Sequence, residues 1–127
     1  MSNDWYQDIV DFHKATGTVV GDRPTVPSFE VRNLRWSLID EEVGETLDAI
    51  RNDDLIELAD GITDSIVVLL GTAISYGIDI RPVWDEVHRT NMAKVGGPKR
   101  EDGKMLKPEG WRPPDIKSIL IEQGGKL

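Results

Sequence analysis

The sequence predicts an all-α protein: a four-helix bundle of amphipathic helices with short connections, followed by an irregular tail. Three observations carry this expectation. Apolar residues recur at helical spacing in four segments. Each segment opens on an Asn, Ser or Asp placed to accept from the first free amides, and glycines follow three of the four. No stretch alternates as a strand bounded by turns, because "TVV" and "TVPSFEV" are too short to build a sheet. A chain of 127 residues fits one domain, 1–127.

The first helix is expected from Asn3 or Asp4 to Ala15, with Trp5, Ile9, Val10 and Phe12 facing inward and Gly17 stopping it. A loop punctuated by Gly and Pro follows. Ser28 caps a second helix reaching Arg51. Asp53 or Asp54 caps a third, which runs to Tyr76 and stops at Gly77. Its most apolar stretch, Ile62 to Tyr76, is shorter than the roughly 20 residues of a membrane span and contains Asp64, so it reads as a core helix. Asp79 caps the fourth, Pro82 is tolerated in its first turn, and "VGG" ends it. The segment from about 96 to 114 reads as an irregular, basic tail, and a short last helix is placed over Asp115 to Glu122.

The formal charge is −8, from 15 basic and 23 acidic residues. Such a chain repels nucleic-acid backbones, so no nucleic-acid partner is expected. With no cysteine, disulfides and thiolate metal sites are excluded, and a cytoplasmic setting is the plain reading. The polar, acidic opening "MSNDWYQDIVDFHK" has no secretory pattern, and no membrane partner is expected.

The acids are not scattered. On a helical wheel Glu41, Glu45 and Glu42 of "LIDEEVGETLDAI" fall within roughly a quarter turn. Leu34 and Leu38 share that arc, and Ile39, Val43, Leu47 and Ile50 form a second apolar stripe. In the third helix Glu57, Asp60 and Asp64 span only about 60°. Leu55, Ala59, Ile62, Ile66 and Ala73 lie opposite, as an expected core stripe. If the two acidic faces meet, repulsion and desolvation are severe without a cation. Mg²⁺ or Mn²⁺ resolves this, because hard cations take oxygen ligands and a triphosphate completes their shells. Acid-rich helix faces are usually solvated surface; two of them on adjacent helices, each backed by core, put metal binding on a level with that plain reading.

"EEVGE" followed by "ELAD" resembles the EExxE…ExxD signature of the MazG-like, all-α nucleoside-triphosphate pyrophosphatase superfamily. The segment "EVHRTNMAKVGGPKREDGKMLKPEGWRPPDI", with "DFHKATG" near the start, is similar to the MazG-like dUTP pyrophosphatases of Deinococcus type. The resemblance covers about Asp11 to Ile116 and implies a Mg²⁺-dependent pyrophosphohydrolase, (d)NTP to (d)NMP and pyrophosphate, on a deoxynucleotide such as dUTP or dCTP. It implies Glu42, Glu45, Glu57 and Asp60 as metal ligands. Glu41 matches the leading glutamate that helps bind metal or activate water. Asn91 and Lys94 match residues that contact substrate, and Asp64 matches no motif position. The joining segment "TLDAIRNDDLI" is shorter than in the dUTP-hydrolysing relatives, which leaves the nucleobase open.

From Lys94 to Arg112 six basic and three acidic residues make an island of +3 in an otherwise acidic chain. Lys104 and Lys107 are placed to contact phosphates if this tail closes as a lid; the plainer reading is a solvated tail or a dimer contact. Trp111 is expected to anchor the tail by packing, with base stacking as its functional alternative. Trp5, Trp36 and Trp84 read as core or interface. His13 and His88 lack the paired Glu-x-x-His pattern of a diiron bundle. Trp36, Ile39, Val43 and Leu47 form a side too broad for one short helix to cover, so a homodimer or a dimer of dimers is expected. The alternatives to an enzyme are a non-catalytic nucleotide- or metal-binding regulatory dimer and a redox bundle.

Overall fold

The computed structural model describes residues 3–127. It is all-α, with five helices: α1 (Trp5–Thr16), α2 (Phe29–Arg51), α3 (Leu55–Ser75), α4 (Ile80–Met92) and α5 (Ile116–Glu122). All five start on the expected kind of cap. The side chains of Asp4, Ser28, Asp54, Asp79 and Asp115 accept from the backbone N–H of Gln7, Val31, Glu57, Arg81 and Ser118. Each satisfies an amide that the helix itself leaves free. Asp53, the alternative cap, instead takes the left-handed turn conformation at φ 53°. Gly17 closes α1 in that conformation at φ 70°, its N–H on the His13 carbonyl.

The α2–α3 hairpin is antiparallel, and small residues bring its backbones together. A Cβ on Gly61 would lie 2.6 Å from Thr46 Oγ1. Farther along the seam, Arg35 donates from Nη2 to the Val68 carbonyl at 2.9 Å and from Nε to Thr72 Oγ1 at 3.2 Å. Helix α1 also packs on α3, and His13 joins Arg35 at Gly71: a Cβ there would meet Arg35 Nη2 at 2.5 Å and His13 Nε2 at 2.8 Å. The loop between α1 and α2 is laced to the end of α3. Gly21 and Thr25 donate to the Ile74 and Tyr76 carbonyls, and Ser75 Oγ donates to the Val19 carbonyl.

Helix α4 joins this layer at its N-terminal end, where Arg81 bonds both Asp79 and Asp4. Its closer partner is α5. The Gln123 carboxamide acts as a surrogate peptide group there, accepting from the Asp79 N–H and donating to the Asp79 carbonyl. The tail is more ordered than expected, with one isolated antiparallel bridge, Lys99 to Met105, and a turn held by Arg100 and Asp102.

The core departs from the expected apolar stripes. Among the described residues the buried apolar side chains are Pro24, Ala49, Val68, Ile74 and Val83, while His13, Arg35, Ser75 and Thr90 are buried polar ones. Trp5, Phe12, Leu34, Leu47, Ile50, Leu55, Ala59 and Ile62 are exposed, against the inward faces expected of them. Nor are the tryptophans core residues of the chain: Trp5 is 59% exposed, Trp36 67% and Trp84 71%. The reason is the seam. Helices that meet through Gly, Ala, Thr and Ser turn their large side chains outward. The accessible surface is 9237 Å², against about 6,800 Å² for a typical folded monomer of this mass. The α3 helix is also longer than the apolar stretch alone suggested. At 21 residues it is long and apolar enough to cross a membrane, yet it carries Glu57, Asp60 and Asp64 and packs on two helices of its own chain.

His13 makes the core sensitive to pH. Its Nδ1 lies 3.0 Å from the Val19 carbonyl, which requires a donor, so the neutral ring presents an unprotonated Nε2 toward Gly71 and Arg35. Burial first, and then the Arg35 charge, hold its pKa below the ordinary histidine value. This contribution is whole above about pH 6.5, the value in the unfolded chain. As pH falls below it, the unfolded chain takes up a proton that the folded core refuses, and stability drops. The melting temperature of the wild type is therefore expected to fall relative to that of His13→Asn between pH 7 and pH 5, since Asn keeps a donor for the carbonyl and does not titrate. Parallel melting curves across this range would refute a buried neutral ring.

Candidate active site

The hairpin brings Glu42 of α2 and Asp64 of α3 within electrostatic reach of each other. Glu42 lies on the α2 face that also carries Arg35, Thr46 and Ala49, one or two turns from each. Its Oε2 is buried without a hydrogen-bond partner, alone in this among the buried side-chain polar atoms of the described residues. Burial raises the Glu42 pKa first, and the nearby charges of Glu45, Asp64 and Glu41 raise it further. Every neighbour acting on this carboxyl pushes in the same direction. The nearest cation along the seam, Arg35, is committed to Val68 and Thr72.

Asp64 is the residue that motif matching left aside. The structure sets it half-buried on α3, within electrostatic reach of Glu42. The signal was in the wheel, where it shares an arc with Glu57 and Asp60 one turn beyond the latter. Glu57 and Asp60 stand exposed in the first two turns of α3, closer to the α2–α3 turn. Glu41 and Glu45 are exposed beside Glu42. Among the described residues no three His, Asp or Glu side chains are drawn into a group able to hold a metal ion. Glu42 and Asp64 stand half-buried with the exposed acids around them, and no ligand shell is closed among the described residues. Their chemistry nevertheless fits a hard divalent cation, since a buried carboxylate oxygen lacks any partner and only like charges surround it.

The cationic residues gather elsewhere. Trp111 donates from its indole N–H to the Thr90 carbonyl at 2.8 Å, so it does anchor the tail on α4. The ammonium groups of Lys94 and Lys107 each lie 5.1 Å from its ring centre, and Lys94 donates to Asn91 Oδ1 at 3.2 Å. Asn91, Lys94, Lys107 and Trp111 thus form one cluster, while Lys104 stays in the neighbouring turn. No hydrogen bond or ion pair among the described residues joins this cluster to the carboxylates of α2 and α3. His88 is exposed on α4, and His13 belongs to the core.

The sequence matches the family profile of phosphoribosyl-ATP pyrophosphohydrolase over residues 9–91, and the chain belongs to that family. The family is related to the MazG-like all-α superfamily, and its members are pyrophosphohydrolases of nucleotide-type substrates. The match contains all the carboxylates named above and ends at Asn91, so the lysines and Trp111 of the tail lie beyond it. No curated protein matches the chain.

The crowding at Glu42 has a measurable sign. A carboxyl whose folded pKa is raised contributes fully below the unfolded value of about 4.3 and loses that contribution as pH rises through the folded pKa. Glu42→Gln resembles the protonated form. In metal-free buffer it is expected to melt above the wild type at pH 7, with the difference closing toward pH 4. A mutant that melts lower at pH 7 would show that the ionised carboxylate supports the fold.

Proposed function

We propose that this chain is a Mg²⁺-dependent pyrophosphohydrolase of a nucleoside triphosphate, yielding the monophosphate and pyrophosphate, with deoxynucleotides such as dUTP or dCTP as its first substrates. The observation that carries this reading is the orphaned carboxylate of Glu42 among like charges, on a hairpin of the pyrophosphohydrolase family. Glu41, Glu42, Glu45, Glu57 and Asp60, joined by Asp64, would hold Mg²⁺, with Mn²⁺ as a substitute. The cation, when bound, supplies charge neutralisation for the phosphate oxygens and a more acidic water.

The chain's own residues supply proton transfer and orientation. Glu42 takes the proton of the attacking water, with Glu41 beside it as the alternative base. A carboxyl whose pKa is raised by burial and like charges is a better base for that step than an ordinary surface acid. The water oxygen bonds to phosphorus, the α–β anhydride bond breaks, and its electron pair leaves on pyrophosphate. Lys94 and Lys107 suit the phosphate chain, steadied by Asn91 and Trp111, and Lys104 extends the same basic surface. The reading extends to a cytoplasmic enzyme.

It also extends to a homodimer or a dimer of dimers. The surface exceeds that of a typical monomer by about 2,400 Å², while a standard interface covers about 800 Å² on each partner. The outer face of α2, where Trp36, Ile39, Val43 and Leu47 line an open depression of about 290 Å³, is the first candidate for cover.

Two measurements test these statements. Pyrophosphate release is to be screened over all canonical and deoxynucleoside triphosphates together with phosphoribosyl-ATP, the substrate in the family's name. Turnover of a triphosphate with Mg²⁺, abolished in folded Glu42→Gln and Glu45→Gln, is expected. Turnover of phosphoribosyl-ATP alone would move the assignment to that substrate, and binding without turnover would make the chain a regulator. Light scattering at micromolar concentration is expected to give at least twice 14.2 kDa, falling to the single-chain mass in Trp36→Asp. A fully active wild-type particle of 14.2 kDa would overturn the assembly.

A further inference from the structure

We infer that Thr46 and Ser65, packed over Gly61, are positioning residues that fix the separation of the helices bearing Glu42 and Asp64, and thereby set the affinity of the carboxylate site for its cation. The inference rests on the metal-site reading above. It starts from a hydrogen-bond direction. Thr46 Oγ1 donates to the Glu42 carbonyl at 2.8 Å, which uses its single proton. The contact of 3.0 Å between Thr46 Oγ1 and Ser65 Oγ must then be donated by Ser65. Two hydrogen bonds in series therefore connect α3, at the residue following Asp64, to the backbone of Glu42 on α2.

The contact is tight as well as directional. A Cβ on Gly61 would fall 2.6 Å from Thr46 Oγ1 and 3.1 Å from Thr46 Cα, and the second atom is backbone that cannot swing aside. Glycine is what permits this approach. The seam's other polar tie, Arg35 on Val68 and Thr72, lies about two turns away along the hairpin. At the carboxylate level the hydroxyl pair is the polar contact holding the helices together. It acts where repulsion among Glu41, Glu42, Glu45 and Asp64 pushes them apart, and the buried, unpartnered Oε2 of Glu42 marks the point at which that spacing matters. Outer contacts that orient a metal's ligands govern affinity without touching the ion.

The test uses the whole chain and Mn²⁺ as the probe, with free Mn²⁺ read by electron paramagnetic resonance and folding read by melting curves. Thr46→Val keeps the side chain's shape and loses both hydrogen bonds; Ser65→Ala loses one and disturbs packing least. Both are expected to remain folded and to bind Mn²⁺ about tenfold more weakly, at the lower end of the range for outer-shell changes. Thr46→Ser, which retains the hydroxyl, is expected to restore most of the affinity. In turnover the requirement for Mg²⁺ should rise in both weakened variants, with kcat recovering at saturating Mg²⁺. Melting temperatures that drop beside unchanged Mn²⁺ affinity, in a wild-type background that binds, would overturn the positioning role alone. A wild-type chain without saturable Mn²⁺ binding would overturn the metal-site reading and this inference with it. Should Thr46→Val fail to fold, Ser65→Ala with wild-type affinity still refutes the proposal.

Discussion

Glu42 sits where two helices press closely together, and one of its oxygens has nothing to bond. That placement conflicts with the ordinary preference of an ionised carboxylate for water or a cation. The rest of the hairpin is arranged around it. The seam is built from small residues, so the helices approach closely enough for Asp64 to feel Glu42. Arg35 is buried in the same seam but bonded to α3, where it leaves the acidic charge uncompensated. A structure that tolerates such crowding gives up some stability in the metal-free state, and a ligand that binds only the folded form can restore it by linkage.

The same seam explains the unusual surface. Close packing through Gly61, Ala49, Thr46 and Ser65 leaves no room for Leu or Trp between α2 and α3, so the large apolar residues point away from each other and into the open. The interior is correspondingly polar. A histidine, an arginine, a serine and a threonine are buried alongside five apolar side chains among the described residues. The hairpin holds through directed hydrogen bonds and close backbone approach, and much of its apolar area faces outward.

The helices were legible because their signals are local. Asp4, Ser28, Asp54, Asp79 and Asp115 all cap as their chemistry predicts, and Gly17 ends α1 in the backbone region that suits it. The acidic arc of α2 was legible for the same reason, being a matter of spacing along one helix. Burial was not. Periodicity identifies an apolar face but not what lies against it, so Trp5, Phe12, Leu55 and Ile62 looked inward on the wheel and stand outside. Asp64 was visible in the wheel and missing from the motif, and its coupling to Glu42 depends on the register of two helices. The partition of Lys94, Lys107 and Trp111 into one cluster, with Lys104 left out, depends on tail turns that composition does not specify.

The carboxamide of Gln123 has a consequence for how the molecule opens. By pairing with both polar atoms of the Asp79 backbone, it makes α5 a clamp on α4. Trp111 on Thr90 and the Asp115 amide on Glu86 add two more attachments within the same C-terminal unit. The side-chain tie from α4 back to the hairpin layer, Arg81 to Asp4, is by contrast half open to water, and exposed ion pairs of this kind are typically worth about 0–1 kcal/mol. Beside that ion pair, the Arg81 guanidinium over the Tyr6 ring and the close approach of Gly125 to Pro24 also join the C-terminal unit to the rest. Helices α4 and α5 therefore move as one body in any displacement that leaves the Gln123, Trp111 and Asp115 hydrogen bonds intact.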